Sequence, residues 1–337
     1  MLYINHPSSL RHDPGAFSPD HPDDPRRLEA IETAIAAANL EGLSRCPAPA
    51  ASAAELGLVH SEHHVAFVRD LCRAGGGQID NDTFVGEASY DAALHAAGGA
   101  CEMVRALTSG PAGTGFCAMR PSGHHADRDR AMGFCLFNNV AIAAELAIRT
   151  CGVEKVMIID WDVHHGNGTA EIFRQRADVL VTSIHEAGLF PGTGAMLDTG
   201  SGDGRGYTVN LPVPTGSGEE IWLSLIEHLV VPIGLEYRPQ LVLVSAGFDA
   251  HEADPLASCR LLAGDFGQMA CHVRDLARAL GVPLGAVLEG GYQLTALGES
   301  VVATLAAFQG EGNAESAAPD QIVTPRAASH LGHRWTL

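Results

Sequence analysis

Apolar runs alternating with amphipathic segments along 337 residues predict an α/β protein in three layers, a central and mostly parallel sheet flanked by helices. Two observations carry this. Several runs are apolar at consecutive positions, such as Val156-Met157-Ile158-Ile159 and Leu241-Val242-Leu243-Val244, which suits strands covered on both faces. No internal repeat and no Pro/Ser-rich linker interrupts the alternation. Residues 1–310 are therefore expected to form a single domain, with 311–337 as a surface tail where periodicity fades.

Taken in order, the first helix is expected over Pro25–Ala38, with Asp24 as N-cap and Pro25 at the first helical position. Helices follow over Glu62–Cys72, where Ser61 suits the cap, and over Tyr90–Thr108. Strand Gly115–Met119 precedes helix Asn138–Thr150, and strands Lys155–Asp160, Val179–His185 and Tyr207–Val213 come next. The regular part closes with helix Glu219–Leu235, strand Gln240–Ala246, helix Gly264–Leu280, strand Leu284–Glu289 and helix Leu297–Phe308. His60, His63 and His64 sit in a helix-start cluster and read as structural or surface residues.

Acidic side chains outnumber basic ones 40 to 21, a net charge of −19. Such a field repels phosphate, which argues against direct binding of nucleic acid or anionic lipid; it is compatible with a cationic substrate such as lysine or a polyamine, which it would attract. No apolar stretch reaches the roughly 18 residues that span a bilayer. The N-terminus shows no basic-then-apolar signal, and none of the eight cysteines forms a C-x-x-C pair. A cytoplasmic protein with reduced thiols is the expectation.

The chemistry-bearing residues all follow predicted strands. They are Arg120-Pro-Ser-Gly-His-His125, Asp160-Trp-Asp-Val-His-His-Gly-Asn-Gly168, Gly247-Phe-Asp249 and Glu289-Gly-Gly-Tyr292. In a parallel sheet, loops at the carboxyl ends of strands share one crevice, where ligands bind. Asp162 and His164, two apart, point to the same face of an extended strand end, and Asp249 can reach them from a neighbouring strand. Two carboxylates and one imidazole leave open positions, as a catalytic Zn²⁺ needs; the same ligands suit Fe²⁺ or Co²⁺. His124 and His125 suit proton transfer, provided their partners differ, with Asp160 orienting one and Asn167 steadying the other. Tyr292 offers a phenol to a carbonyl oxygen that gains negative charge.

Together with Gly133-Phe-Cys-Leu-Phe-Asn-Asn139 and Phe190-Pro-Gly-Thr-Gly194, these blocks resemble the histone deacetylase superfamily. Within it they are most similar to the class II branch and the bacterial histone deacetylase-like amidohydrolases. The similarity runs in unbroken order from His21-Pro-Asp-Asp-Pro-Arg-Arg27 to Tyr292. It implies an arginase/deacetylase-like fold and a zinc-dependent deacylase acting on an acyl-lysine protein or peptide, or on an acylated small molecule. It implies zinc on Asp162, His164 and Asp249, His124 and His125 as the tandem pair with His125 as general base and acid, and Tyr292 polarising the carbonyl. Gly133, Phe134 and Phe190 would form a narrow tunnel, with Leu256 and Asp82 at its rim. Asp160, Asp162, His164, Ser183 and Ile184 match the family's structural K⁺ site, and Arg27 the channel by which the cleaved acid leaves. Asn167 stands where some relatives carry Asp, and Leu256 where a polyamine-selective relative places Glu, which disfavours a polyamine. His251 is an unusual residue near the expected mouth.

Two competing readings are weaker. A dimanganese ureohydrolase would need extra carboxylates beside Asp162-Val-His164 and Asp249, and they are absent. A binding protein on a decayed enzyme frame is disfavoured by the intact ligands, histidines and Tyr292.

Overall fold

The structure is a computed structural model that describes every residue from Met1 to Leu337 except Ala112. Ten strands are formed among the described residues: β1 (Leu2–Asn5), β2 (Ser44–Pro47), β3 (Gly76–Gln78), β4 (Phe84–Gly86), β5 (Thr114–Cys117), β6 (Val156–Asp160), β7 (Val179–Glu186), β8 (Thr208–Val213), β9 (Leu241–Ala246) and β10 (Leu284–Leu288). Eight of them make one sheet in the order β2-β1-β5-β10-β9-β6-β7-β8, and every pairing in it is parallel. β3 and β4 form a separate antiparallel pair.

The helices are α1 (Arg26–Ala37), α2 (Ala53–Leu56), α3 (Glu62–Arg73), α4 (Ser89–Thr108), α5 (Asn139–Thr150), α6 (Asn167–Ile172), α7 (Glu219–Leu225), α8 (Val231–Tyr237), α9 (Ala263–Leu280), α10 (Leu294–Gln309) and α11 (Val323–Leu331). The stretch expected as one helix over 219–235 carries a π turn at Ile226–Val230, just before Pro232, which has no N–H to donate.

Alternation along the strands builds two cores. In β6, Met157 and Ile159 face the layer of α1, α9 and α10, while Val156 and Ile158 face the layer of α4 and α5. β9 divides the same way, with Val242 and Val244 on one side and Leu241 and Leu243 on the other. This is the expected three-layer architecture, with helices on both faces of a buried parallel sheet.

The expected surface tail is a correction. Val323, Ala327, Leu331 and Trp335 recur every four residues and pack into the core, so the segment is anchored. Trp335 lies edge-on to Tyr207 and Tyr237, and its indole N–H donates to the Gly206 carbonyl at 3.2 Å. β1 and β2 went unread because each is four residues long and β2 is a largely exposed edge. Ser61 caps α3 as expected; His60 and His64 are buried beneath it, and His63 is exposed.

Two outcomes follow. Trp335→Ala should lower the unfolding free energy by about 3–5 kcal/mol in a urea titration; a loss under about 1 kcal/mol would mean a loosely attached terminus. Burial, with His64 adding to it, pushes the His60 imidazole down to about 3. Its ring accepts a hydrogen bond from the Asn138 N–H at 2.9 Å. Because the fold holds His60 neutral, its contribution is complete above the unfolded value near 6.5 and is lost as pH falls towards the folded value. At pH 5 the loss is about 2 kcal/mol. His60→Gln should flatten the stability slope between pH 7 and 5 by that amount; an unchanged slope would contradict it.

Candidate active site

β5, β10, β9 and β6 are neighbours at the centre of the sheet, so their carboxyl ends deliver the four motif loops to one place. Each carboxylate is tied to backbone. Asp160 Oδ1 accepts from the Asp162 N–H, Asp162 accepts from the N–H groups of His164 and Gly290, and Asp249 Oδ1 accepts from Val163. These bonds turn the carboxylates of Asp162 and Asp249 onto the His164 ring, whose Nδ1 lies 3.1 Å from each.

Donor atoms of Asp162, His164 and Asp249 all lie within 4.8 Å of one another, and all three residues are buried. Against the opposing effect of burial, the two carboxylates push His164 up to about 10, so the site draws positive charge. Such a donor set fits a divalent cation, since two buried carboxylates facing one point need one. Gly290 makes the room: a Cβ there would lie 2.0 Å from Asp249 Oδ2 and 2.7 Å from Asp162 Oδ2. His124, Cys135 and Glu289 form a second close group. There His124 Nδ1 is already bonded to Asp160, and Glu289 Oε2 to two backbone N–H groups.

The tandem histidines have different partners, as expected. His124 Nδ1 is 3.0 Å from Asp160 Oδ2, and His125 Nδ1 donates to Asn167 Oδ1 at 2.8 Å. Burial alone would lower both. Asp162 and Asp160 outweigh it at His124 and raise that ring well above its usual value. At His125 burial is reinforced by His124 and His164, and the ring is held well below. The two rings are therefore shifted in opposite directions, His124 towards the cation and His125 towards the neutral form, in which its Nε2 can accept a proton.

His125, His164 and Tyr292 line a cavity of about 390 Å³ together with Gly133, Phe134, Phe190, Leu256 and Asp82. Burial raises the Tyr292 phenol well above its usual value; Asp249 adds to this and Arg27 opposes it, so the hydroxyl remains a donor. The ring lies against the Arg27 guanidinium at 4.8 Å and edge-on to Phe134 at 5.7 Å. Its backbone N–H donates to Asp254 Oδ2 at 2.6 Å. Phe134 has φ +66°, a strained backbone for a side chain of its size, and its N–H donates to Thr83 Oγ1.

Other residues surround this group. Arg27 is fully buried, and its donors go to Asp23 and to the Glu289 and Gly291 carbonyls. His251 folds back into its own loop, accepting from the Ala253 N–H, and does not line the cavity. Sequence reasoning missed Ser18, Pro22, Asn81, Phe84 and Leu189 as lining residues. His21 also reaches the wall, stacking edge-on with Phe134 at 4.6 Å. His6 stacks on His95 and His12 is buried against Asp23; neither lines the cavity.

Comparison with known proteins places this geometry. The histone deacetylase domain family matches residues 21–308. The histone deacetylase-like amidohydrolase of Pseudomonas aeruginosa is 41% identical over 276 residues, covering 81% of this chain and 72% of that protein. A probable deacetylase of Methanothermobacter thermautotrophicus is 40% identical over 326 residues, covering 96% of this chain and 95% of that one. Histone deacetylase 15 of Arabidopsis thaliana is 40% identical over 89% of this chain, which spans about half of that protein's length (54%). The crystal structure of the HDA15 HD domain superposes with a TM-score of 0.90 at 34% identity, covering 99% of this chain and 95% of that one. On the match over 21–308 and these relatives, the chain belongs to the histone deacetylase family.

Proposed function

We propose that the protein is a zinc-dependent amidohydrolase that removes an acetyl or related acyl group from a lysine-like amine. One observation carries the reading: a neutral histidine, a candidate metal ligand and a protonated tyrosine line the same cavity, between the two phenylalanines. Asp162, His164 and Asp249 would hold the ion, zinc first with Fe²⁺ or Co²⁺ as alternatives, and its contribution there is Lewis-acid activation of water and carbonyl.

The rest is the work of the chain. Phe134 and Phe190 hold the aliphatic stem, Leu256 closes the rim, and Asp82 accepts from the substrate backbone. His125 Nε2 takes a proton from the attacking water while Asn167 holds the ring by Nδ1. The Tyr292 hydroxyl donates a hydrogen bond to the carbonyl oxygen as it gains negative charge, and the proton held by His125 then passes to the amine nitrogen as the C–N bond breaks. Asp160 keeps His124 charged beside this centre. A K⁺ ion on Asp160, Asp162, His164, Ser183 and Ile184 would brace the strand ends; Asp160 and Ser183 are register partners in β6 and β7. Substrates are an acyl-lysine protein or peptide or an acylated small molecule. Free thiols at all eight cysteines support a reducing, cytoplasmic setting, and no helix among the described residues is long and apolar enough to cross a membrane.

On an acetyl-lysine fluorogenic peptide, Tyr292→Phe should lower kcat by about 10²–10³-fold with KM little changed; an unaltered kcat would remove Tyr292 from the chemistry. A Cβ at position 133 would lie 2.5 Å from His125 Cδ2 and 2.8 Å from Phe190 Cε1, on a backbone with φ +56°. Gly133→Ala should therefore cost on the order of 100-fold in kcat/KM by displacing His125. Parent-like kinetics in that variant would contradict the tunnel assignment.

A further inference from the structure

Glu289 directly follows β10, is fully buried, and does not line the cavity. Its Oε2 accepts two consecutive N–H groups, from Gly123 at 2.7 Å and His124 at 3.1 Å. Its Oε1 has no hydrogen-bond partner among the described residues. The same loop is held from its other side: the His124 carbonyl accepts from the Thr169 N–H, and the Pro121 carbonyl from Asn139 Nδ2. The loop also lies close against α5, since a Cβ on Gly123 would be 2.5 Å from the Asn139 nitrogen. Behind Glu289, Arg27 donates to its carbonyl and to that of Gly291, next to Tyr292.

One oxygen that captures two successive N–H groups fixes two peptide planes, and with them the directions in which His124 and then His125 leave the backbone. Because Glu289 also lies three residues before Tyr292, its side chain ties the histidine loop to the strand end that carries the phenol. We propose that Glu289 is a positioning residue that sets the distance between His125 and Tyr292 by accepting from the Gly123 and His124 N–H groups. The role is that of an acceptor, not of a charge, and it rests on the amide-hydrolysis reading given above. A second metal ion on His124, Cys135 and Glu289 is the competing use of these groups. His124 Nδ1 and Glu289 Oε2 are engaged while Glu289 Oε1 is unpartnered, so the count of metal per chain separates the two uses.

The test uses the full metal-loaded chain with Glu289→Gln, which keeps an acceptor oxygen, and Glu289→Met, which keeps the volume without one. Steady-state kinetics on an acetyl-lysine peptide are read beside metal content per chain and amide hydrogen exchange at Gly123 and His124. In E289M, kcat should fall about 10- to 100-fold, with KM and metal content unchanged and both amides exchanging faster. E289Q should restore kcat to within about threefold of the parent and keep both amides protected. Parent-like kcat in E289M, an equal loss in E289Q, or a second metal equivalent that either variant removes would overturn the proposal. If E289M does not fold, E289Q decides alone, and fast exchange at both amides sinks the idea. Exchange needs no turnover, so an inactive parent protein would count against the deacylase reading while Glu289 is still tested.

Discussion

Asp160, Asp162 and Asp249 bring three buried carboxyl groups to neighbouring strand ends, and much of the surrounding structure answers that concentration of negative charge. Burying a carboxylate without partners costs several kcal/mol, so each one here is bonded to backbone N–H groups of the loops it organises. The remaining oxygens face imidazoles. Parallel strand order makes this possible, because β6, β9 and β10 lie side by side and end at the same edge. Small residues keep the space open, Gly290 most tightly of all. A divalent cation is the natural counterweight at Asp162, His164 and Asp249.

The same charge makes two adjacent histidines chemically different. His124 points at Asp160 and Asp162, which raise it against the effect of burial; His125 points at the neutral Asn167 and is lowered by burial first and then by His124 and His164. Asp in place of Asn167 would bring a full negative charge to His125 and oppose this separation. The two rings are thus set apart by their partners rather than by residue type.

Most of this was legible in the sequence. Continuous apolar runs located β6, β7, β9 and β10, because strands covered on both faces cannot show a polar side. The grouping of Asp162, His164 and Asp249 was readable because these residues sit at or just after strand ends, where the sheet itself fixes their position. Features resting on long-range packing were not. β1 and β2 are too short to show a period, and α11 is a nine-residue helix after a polar stretch, so its three apolar anchors, with Trp335 beyond them, passed as a tail. The part of the wall formed by Ser18, Pro22, Asn81 and Phe84 comes from irregular segments and the three-residue strand β4, whose approach to the site no local pattern encodes. Glu289 was visible as part of a motif, but the two N–H groups it accepts lie more than 160 residues away.

The most direct test is acetate release from an acetyl-lysine peptide by chelator-stripped protein as Zn²⁺ is added back, with bound metal counted per chain. Release is predicted to be absent in the stripped protein, to rise in proportion to occupancy and to saturate at one ion per chain. Full activity in the stripped protein, or one bound ion with no release from any of a panel of acyl-amines, would contradict the assignment of Asp162, His164 and Asp249 as the centre of a deacylase.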